Sequence, residues 1–289
     1  MSKTAFVGLG VMGYPMARHM ASGGNEVTVY NRTIAKAEKW VGENGGSRAN
    51  TPAKAAEGAD VVCACVGNDD DVRSVVYGEE GAFEGMEEGA VFVDHTTASA
   101  DLAKELYEVT KNNRMEFLDA PVSGGQAGAE NGVLTVMCGG NKNTFDIAKP
   151  VMESYSRAIT LMGKAGAGQL TKMVNQICIA GLLQGLSEGM NFATKAGLDP
   201  KTVVEVISKG AAGSWQMENR AVTMAEDKFD FGFAVNWMRK DLKIVLEESQ
   251  RNGARLPATA LIDQFYAQIQ ERGGGRWDTS SLIHLLNQE

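Results

Sequence analysis

Residues Thr4 to Gly13 read Thr-Ala-Phe-Val-Gly-Leu-Gly-Val-Met-Gly, an apolar run that leads directly into three spaced glycines. In a strand-to-helix turn with glycines at this spacing, the first glycine permits the tight turn and the second lets the backbone approach a diphosphate. The third lets the helix pack closely on the strand. The stretch therefore predicts a dinucleotide pyrophosphate site at a helix N-terminus. The predicted contacts are Gly8, Leu9, Gly10, Val11, Met12 and Gly13.

The flanking sequence favours a nucleotide fold over an ordinary glycine-rich turn, which a chain with 34 glycines also produces by chance. The turn follows an apolar strand pattern and precedes a helical one, with apolar Met12, Met16 and Met20. A second strand pattern over residues 26–30 follows two glycines and completes a βαβ unit of about 30 residues. The first 30 residues are therefore typical of a nucleotide-binding domain.

The end of the second strand indicates which dinucleotide binds. Proteins selective for NAD place Asp or Glu about 20 residues beyond the glycines, where the carboxylate accepts hydrogen bonds from the ribose 2′-hydroxyl. Here the corresponding positions hold Asn31, Arg32 and Thr33, and the guanidinium of Arg32 matches phosphate oxygens. We therefore predict that these three residues contact the cofactor and that NADP is preferred, with NAD as the other candidate. A solvated surface arginine is the alternative interpretation of Arg32.

Length and charge bound the class of protein. At 289 residues the chain accommodates about two domains on the usual size prior. The net charge of −8 and the pI of about 5.1 argue against nucleic acid or an anionic membrane surface as partners. A small anionic substrate stays compatible, because a local basic pocket can lie within an acidic surface.

Cysteine usage and hydropathy predict a cytoplasmic protein. The four cysteines include no C-x-x-C pair, and three lie in apolar runs, which favours buried reduced thiols. No stretch reaches the roughly 18 uninterrupted apolar residues of a membrane span. The apolar run near the N-terminus belongs to the first strand rather than to a signal peptide.

The first half of the chain alternates strand and helix patterns, whereas the second half is helical throughout. The alternation predicts a Rossmann-type, doubly wound, mainly parallel sheet. The strand patterns cover residues 4–8, 26–30, 60–66, 90–94, 115–119 and 133–138. A long helical pattern over 168–196 is followed by shorter ones at 200–209, 215–226, 234–252, 257–272 and 278–288. We therefore predict an α/β cofactor domain at 1–163, a long linking helix at 164–196, and an all-α domain for substrate binding and oligomerisation at 164–289.

Five segments occur in a distinctive order along the chain. They are Gly-Leu-Gly-Val-Met-Gly at 8–13, Asp-Ala-Pro-Val-Ser-Gly-Gly at 119–125, Gly-Ala-Gly-Gln-Leu-Thr-Lys at 166–172, Asn175-Gln176, and Lys240-Asp241-Leu242. The set resembles the β-hydroxyacid dehydrogenase family, which includes 3-hydroxyisobutyrate dehydrogenase, tartronate semialdehyde reductase and glyoxylate/succinic semialdehyde reductase. The resemblance covers essentially the whole chain, and the fold it implies agrees with the two domains predicted above.

Lys172 is the predicted catalytic residue. Oxidising a hydroxyacid requires a group that takes the hydroxyl proton as hydride leaves carbon, and the reverse reaction requires that group to return a proton. A lysine does either when burial or a neighbouring cation favours its neutral form. For an arbitrary helix lysine, a side chain that extends to water is the ordinary interpretation. The resemblance reverses this, because the matching lysine is the family's catalytic one.

The resemblance also implies the substrate contacts. Ser123, Gly124 and Gly125 can direct a hydroxyl and backbone N–H groups at a carboxylate, with simple turn chemistry as the alternative. Asn175 and Gln176 follow the lysine by three and four residues, so both project near its face of the helix. An amide there either holds the substrate or packs the helix. Family members often carry Asn-Asn at this place, so Gln176 departs from the pattern by a longer side chain.

Two loops after predicted strands and one lysine of the second domain complete the predicted cofactor site, because nucleotides bind at the carboxyl ends of parallel strands. The resemblance implies that the lysine closes over the nicotinamide half, although an exposed ion pair is the alternative. Where the family usually reads Met-Leu-Pro, this chain has Cys65-Val66-Gly67. The predicted contacts are Val66, Gly67, Asn68, Thr96, Thr97 and Lys240.

The remaining predictions concern the pocket, metals and assembly. Trp215 is predicted to line the substrate pocket, although an aromatic residue in a helical domain more often belongs to the core. The three histidines form no spaced metal-binding set, so we expect no metal. Long amphipathic helices in the second domain favour a homodimer or homotetramer.

Together these observations predict an NADP-preferring oxidoreductase that interconverts a small β-hydroxyacid, similar to 3-hydroxyisobutyrate, and its semialdehyde or oxoacid by hydride transfer. Lys172 is the predicted acid/base. The alternatives are an imine or larger-carbonyl reductase on the same fold, and a non-catalytic NADP-binding interaction module. The presence of Lys172 counts against both alternatives, since relatives with those roles carry other residues at this position.

Overall fold

The computed structural model describes residues 2–287. The chain divides into two compact units, with the division between Lys172 and Met173. Met1 and residues 288–289, which include the outer ends of both predicted domains and of the predicted helix 278–288, lie outside the described residues.

A single sheet forms the centre of the first unit. Its strands, among the described residues, are β1 (Lys3–Val7), β2 (Glu26–Tyr30), β3 (Ser47–Arg48), β4 (Val61–Ala64), β5 (Val91–Asp94), β6 (Glu116–Asp119), β7 (Val122–Ser123), β8 (Leu134–Gly140) and β9 (Ser156–Gly163). They lie in the order β3-β2-β1-β4-β5-β6-β8-β7, and β9 pairs with β8. Strands β1 to β6 pair with one another in parallel, whereas β8 is antiparallel to β6 and β7. The predicted doubly wound, mainly parallel sheet is confirmed.

Helices cover both faces of this sheet, so its central strands are buried on both sides and read as apolar runs. Phe6 and Val7, adjacent on β1, belong to two different apolar clusters because successive side chains point to opposite faces. The helices are α1 (Gly13–Ser22), α2 (Ile34–Asn44), α3 (Pro52–Ala56), α4 (Asp69–Val76), α5 (Ala82–Gly85), α6 (Ala100–Asn112), α7 (Gly125–Glu130) and α8 (Lys142–Met152), with a 3₁₀ turn at Glu153–Tyr155.

The strand order reverses at β1, which has β2 on one side and β4 on the other. In open parallel sheets, ligands bind beyond the carboxyl ends of the strands at such a switch point. The loops after β1 and β4 therefore lie side by side where a nucleotide would bind.

The long helix α9 (Ala167–Lys195) begins in the first unit and continues into the second. The second unit is otherwise made of helices packed around two apolar clusters. They are α10 (Pro200–Ile207), α11 (Trp215–Ala225), α12 (Val235–Asn252) and α13 (Pro257–Glu271), followed by 3₁₀ segments at Gly274–Arg276 and Thr279–Leu285. The predicted all-α character is confirmed.

The last predicted helix, 278–288, is wrong in type, because its described part is a 3₁₀ segment. The carboxylate of Asp278 accepts hydrogen bonds from the backbone N and the hydroxyl of Ser280, at 3.0 and 2.6 Å. Such local side-chain bonds compete with the α-helical ladder. The backbone N of Ser281 donates to the carbonyl of Asp278, the i to i+3 pattern of a 3₁₀ turn.

The cysteines and the helices bear on the remaining expectations. Cys63 and Cys138 are buried, but Cys65 is half-buried and Cys178 is exposed on α9, so the expectation of buried thiols is wrong for Cys178. No helix within residues 2–287 is both long and apolar enough to cross a membrane. Over the same residues, no group of three or more His, Cys, Asp or Glu side chains is arranged to hold a metal ion.

Candidate functional site

The turn after β1 requires glycine at two of its three glycine positions. Gly8 has a φ of +97°, and a β-carbon there would overlap the backbone carbonyl of Cys65 in the loop after β4. A β-carbon at Gly13 would overlap the carbonyl of Gly8 and lie 2.8 Å from the ring of Phe6. The packing of the turn against the first helix and the neighbouring loop therefore requires glycine at these two positions, whether or not a ligand binds.

Gly10 differs, because no protein atom lies within 4 Å of the position a β-carbon would take. Packing does not require glycine at this position, and the space beside its backbone is open. Such space is what a diphosphate needs to approach backbone N–H groups at the start of a helix. The turn therefore fits a dinucleotide cofactor.

Asn31 braces this turn. The backbone N of Leu9 donates to Asn31 Oδ1 at 2.9 Å, and Asn31 Nδ2 donates to the carbonyl of Thr33 at 3.1 Å. The backbone N of Gly8 donates to the carbonyl of Tyr30 at 2.9 Å. The amide of Asn31 therefore ties the turn at Leu9 to the segment that follows β2, a role that the prediction of a cofactor contact did not include.

Arg32 lies beside the turn with its side chain 90% exposed. Its Nη1 is 3.9 Å from Oδ1 of Asp71, in the first turn of α4. An exposed ion pair at that distance contributes little to stability. The guanidinium can therefore exchange this partner for another anion at small cost.

The loops after β4 and β5 are joined through Thr96, which is buried. The backbone N of Val66 donates to Thr96 Oγ1 at 3.0 Å, and the backbone N of Thr96 donates to Asp94 Oδ1 at 2.9 Å. Burial raises the pKa of Asp94 to about 7, against the lowering effect of its hydrogen bonds with Thr96. The structure thus brings two predicted cofactor loops together.

Other predicted residues of these loops lie close by in the chain. Asn68 caps α4, since its Oδ1 accepts from the backbone N of Asp71 at 2.9 Å. Gly67 and Thr97 are half-buried, next to Val66 and Thr96 respectively. Asn68 therefore has a structural role at a helix N-terminus that the prediction of a cofactor contact did not include.

His95, adjacent to Thr96, points into the fold. Its Nδ1 lies 2.7 Å from the carbonyl of Ala120 and its Nε2 lies 2.8 Å from the hydroxyl of Tyr155. Since a carbonyl can only accept, Nδ1 carries the proton and Nε2 accepts from the tyrosine. Burial lowers the pKa of His95 to about 4, so the ring is neutral at neutral pH and braces the ends of β5 and β6.

Asp119, at the end of β6, anchors the start of α9. Its fully buried carboxylate accepts from the backbone N of Gly166 at 2.7 Å and from that of Gln169 at 2.9 Å. Burial raises the pKa of Asp119, and these backbone hydrogen bonds oppose the rise. A carboxylate at a helix N-terminus satisfies otherwise unpaired donors and complements the helix dipole.

Gln169 links the same helix to the loop after β5. Its Nε2 donates to the carbonyl of Thr96 at 2.7 Å, and its Oε1 accepts from the backbone N of Ala98 at 3.0 Å. Sequence reasoning quoted this glutamine within a motif but gave it no role. Its partners lie more than 70 residues away in the chain, so no local pattern could have identified it.

Lys172 follows Gln169 by three residues on α9 and is only 7% exposed. Lysine is rarely buried to this extent unless it is paired or functional. Its position on α9 is fixed from the N-terminal side by Asp119 and Gln169, within the first unit.

The Ser123-Gly124-Gly125 segment lies where β7 ends and α7 begins. Ser123 is half-buried and pairs with Thr135 of β8. Gly124 and Gly125 have φ values of +132° and +61°, which side chains rarely adopt, and both are exposed. The positive φ values therefore explain why both positions carry glycine.

In the second unit, the buried carboxylate of Asp241 contacts two of the predicted residues, and a third is bonded to one of these two. Asn175 Nδ2 donates to Gln176 Oε1 at 2.8 Å, and Gln176 Nε2 donates to Asp241 Oδ2 at 2.7 Å. Lys240 Nζ lies 2.8 Å from Asp241 Oδ1. Asp241 lies within a predicted motif but is not itself a predicted site residue. Its carboxylate contacts both Gln176 and Lys240.

Trp215 begins α11 and is 51% exposed, so it is not a core residue. The guanidinium carbon of Arg220 lies 4.8 Å from the centre of the Trp215 ring and 4.9 Å from the centre of the Phe231 ring. Arg220 Nε is 3.3 Å from Oδ1 of buried Asp278. Trp215 therefore belongs to a surface cation–π cluster of the second unit.

Comparison with known families and proteins agrees with this geometry. The family described as the NAD binding domain of 6-phosphogluconate dehydrogenase matches residues 3–163. The family described as NAD-binding of NADP-dependent 3-hydroxyisobutyrate dehydrogenase matches residues 166–286. The two matches together span both units of the chain.

Individual relatives align over nearly the whole chain. An uncharacterized oxidoreductase of Shewanella frigidimarina is 62% identical over 99% of this chain and 98% of its own length. A probable mitochondrial 3-hydroxyisobutyrate dehydrogenase-like protein of Arabidopsis thaliana is 41% identical over 99% of this chain and 85% of its own. The structure of Mycobacterium tuberculosis 3-hydroxyisobutyrate dehydrogenase with L-serine covers both chains completely, with a TM-score of 0.89 and 28% identity. The chain therefore belongs to the β-hydroxyacid dehydrogenase family and is an NAD(P)-dependent dehydrogenase of the 3-hydroxyisobutyrate dehydrogenase type.

Proposed function

We propose that this dehydrogenase prefers NADP and interconverts a small β-hydroxyacid, similar to 3-hydroxyisobutyrate, with its semialdehyde, using Lys172 as acid/base. The observation that carries the proposal is the burial of Lys172 on a helix whose start is hydrogen-bonded to the cofactor loop at Thr96. A buried amine in that place has a chemical use that a lysine extending to water lacks.

Lys172 has one task in each direction of the reaction. In oxidation it accepts the proton of the substrate hydroxyl, and in reduction it donates a proton to the carbonyl oxygen. Burial in general disfavours the charged form of an amine, and acid/base catalysis by a lysine depends on both of its protonation states. The bound nicotinamide supplies the hydride chemistry. The protein's remaining task is to hold the reacting oxygen against Lys172.

The cofactor contacts are proposed from the open turn and from the two joined loops. Gly10 and its neighbours receive the diphosphate, and Val66 to Asn68, with Thr96 and Thr97, line the nicotinamide side. Arg32 is proposed to bind the 2′-phosphate of NADP. Support comes from its 90% exposed side chain, its weak ion pair and the absence of a carboxylate at positions 31–33.

The substrate contacts are proposed from residue chemistry and from the relatives. Ser123 to Gly125 would receive the carboxylate, and Asn175, Gln176 and Trp215 would contact the rest of the substrate. Lys240 remains the proposed contact to the nicotinamide half. The Mycobacterium tuberculosis relative is described as a 3-hydroxyisobutyrate dehydrogenase and its structure holds L-serine. Both molecules are small carboxylates with a hydroxyl on the β-carbon. Domain limits at 163/164, a homodimer or homotetramer and a cytoplasmic location stay predictions.

A turnover screen tests the proposal. Purified protein is assayed with NADP(H) and NAD(H) against 3-hydroxyisobutyrate, 3-hydroxypropionate, serine, glyoxylate, succinic semialdehyde and tartronate semialdehyde. A cyclic imine is tested as a further substrate. We expect NADP(H)-dependent turnover of at least one short β-hydroxyacid or semialdehyde. Lys172→Ala should lower kcat by about 10²- to 10⁴-fold, the usual range for a general acid/base.

The matched control is Lys195→Ala, which removes an exposed lysine of the same helix and should leave kcat unchanged. Turnover of the imine alone would replace the proposed reaction with imine reduction. NADP binding without any turnover would reduce the protein to a binding module.

A further inference from the structure

We infer that Gln169 is a positioning residue that fixes Lys172 relative to the cofactor loop at residues 96–98, an inference that rests on the proposed role of Lys172. The proposed role of Gln169 does not include contact with the reacting atoms, because its amide binds Thr96 and Ala98. Gln169 acts by holding the first turns of α9 against the loop that follows β5.

The geometry of the glutamine amide supports this role. Its donor and its acceptor are both used, and they bind the carbonyl of Thr96 and the backbone N of Ala98, two residues apart in one loop. A single planar group therefore pairs with two backbone groups, which fixes the distance and the rotation of the helix relative to the loop. Thr97, a proposed cofactor contact, lies between them.

Burial makes the connection stiff. Gln169 is 1% exposed, and Thr96 and Ala98 are also buried, so water does not replace these bonds when they break. The backbone N of the same glutamine donates to Asp119, so residue 169 is held at three points. Lys172 lies three residues further along the same helix, close to one helical turn, so the bonds of Gln169 also fix the backbone position of Lys172.

The bonds also reach the neighbouring loop. Thr96 accepts from Gln169 with its backbone carbonyl while its hydroxyl accepts from the backbone N of Val66. The loops after β4 and β5 and the helix that carries Lys172 are therefore parts of one hydrogen-bond network, which is buried at Gln169 and Thr96 and partly buried at Val66. A shift of about 1 Å in a reacting group can lower a rate about 10²-fold, so this register matters for catalysis.

The test is a double-mutant cycle of Gln169→Met, which keeps the side-chain length but removes both amide bonds, with Lys172→Ala. The single variant Gln169→Met should lower kcat about 10- to 100-fold. The KM for substrate and the Kd for NADPH, measured by fluorescence titration, should change less than about threefold because the bonds of Thr96 to Asp94 and Val66 remain. In the Lys172→Ala background, Gln169→Met should change kcat less than about twofold.

The control is Gln184→Met, since Gln184 is a half-buried glutamine of the same helix whose amide pairs with Glu188, and its change should leave kcat unaltered. An equal loss of kcat from Gln169→Met in both backgrounds would overturn the inference, as would an unchanged kcat in the single variant. If the residual rate of Lys172→Ala is too low to measure, the test compares kcat, KM and the Kd for NADPH of Gln169→Met with those of the wild type. A lowered kcat with unchanged KM and Kd supports the inference, and a raised Kd for NADPH overturns it. Retention of turnover by Lys172→Ala itself would instead reject the proposed acid/base.

Discussion

Two regions of the first unit, both predicted to serve the cofactor or the chemistry, are built in opposite ways. At the start of α9, Asp119 and Gln169 are buried and hold the helix through four hydrogen bonds of 2.7 to 3.0 Å. At the end of β2, Arg32 is 90% exposed and meets only Asp71, at 3.9 Å, among its ion pairs within the described residues. The contrast indicates that the start of α9 must be rigid, whereas the end of β2 needs only to supply charge.

A proton-transfer group gains from rigidity because its rate depends on sub-ångström geometry. A phosphate contact gains mainly from charge and can form after binding, so an exposed arginine suffices. The comparison therefore predicts that changes near α9 alter stability or kcat, whereas changes at Arg32 alter only cofactor affinity.

The largest effect on stability is expected at Asp119. Asp119→Ala leaves the backbone N–H groups of Gly166 and Gln169 unpaired in the interior, which should lower the free energy of unfolding by about 2–4 kcal/mol. Denaturant unfolding measures this loss. Asp119→Asn keeps one acceptor and should lose less, so an equal loss in both variants would contradict the anchoring role.

Asp94 should give the next effect, as a dependence of stability on pH. Because the folded-state pKa of Asp94 is raised to about 7, its neutral form stabilises the fold below its unfolded pKa near 4. That contribution is lost as the pH rises through about 7. Asp94→Asn removes the ionisation, while its amide oxygen can still accept from Thr96.

Unfolding free energies at about pH 5 and about pH 8 check this prediction. The stability of Asp94→Asn relative to the wild type should rise between the two pH values by on the order of 2 kcal/mol. A difference that stays constant or falls with pH would show that folding does not raise the pKa of Asp94.

Two glycines of the turn, Gly13 and Gly10, are expected to differ in the same way, one affecting stability and the other cofactor affinity. Gly13→Ala should lower the free energy of unfolding by about 1–3 kcal/mol, because its β-carbon overlaps the carbonyl of Gly8. Gly10→Ala meets no protein atom within 4 Å, so its stability should change by less than about 0.5 kcal/mol. Its Kd for NADPH should nevertheless weaken about tenfold, or 1.4 kcal/mol. Unimpaired NADPH binding by Gly10→Ala would remove the diphosphate from this turn.

The smallest effect on stability is expected at Arg32. Arg32→Ala should weaken the Kd for NADPH by about 1–2 kcal/mol, or about 5- to 30-fold, and leave the Kd for NADH and the Tm unchanged. Fluorescence titration with both cofactors measures this. Lys39→Ala, which removes another exposed cation of the same unit, serves as the control. A parallel loss of NADH affinity would mean that Arg32 does not read the 2′-phosphate.

The sequence predicted the elements whose signals are local. The apolar runs gave the six strands β1, β2, β4, β5, β6 and β8, and the glycine spacing gave the turn at Gly8, because sterics within a few residues determine both. The two-residue strands β3 and β7 were missed, since so short a segment has no period. Strand β9 was missed because most of its side chains are exposed on the sheet edge and give no apolar run.

Side chains that organise the site from within were less accessible to sequence reasoning. Gln169 and Asp241 lie inside motifs that were quoted, but their roles depend on partners 65 or more residues away in the chain. Asn31 was read as a ligand contact, and only the folded turn shows that its amide is used by the protein. Residue type predicted where chemistry occurs, whereas tertiary contacts determine what holds it in place.

The most direct test of the acid/base role is a single-turnover measurement of hydride transfer. Enzyme saturated with NADPH is mixed with the semialdehyde that the wild type reduces best, and loss of the nicotinamide absorbance is followed for wild type and Lys172→Ala. At full cofactor occupancy, confirmed by titration, the variant should transfer hydride at least about 10²-fold more slowly. A rate within about threefold of the wild type would contradict the assignment of Lys172 as the acid/base.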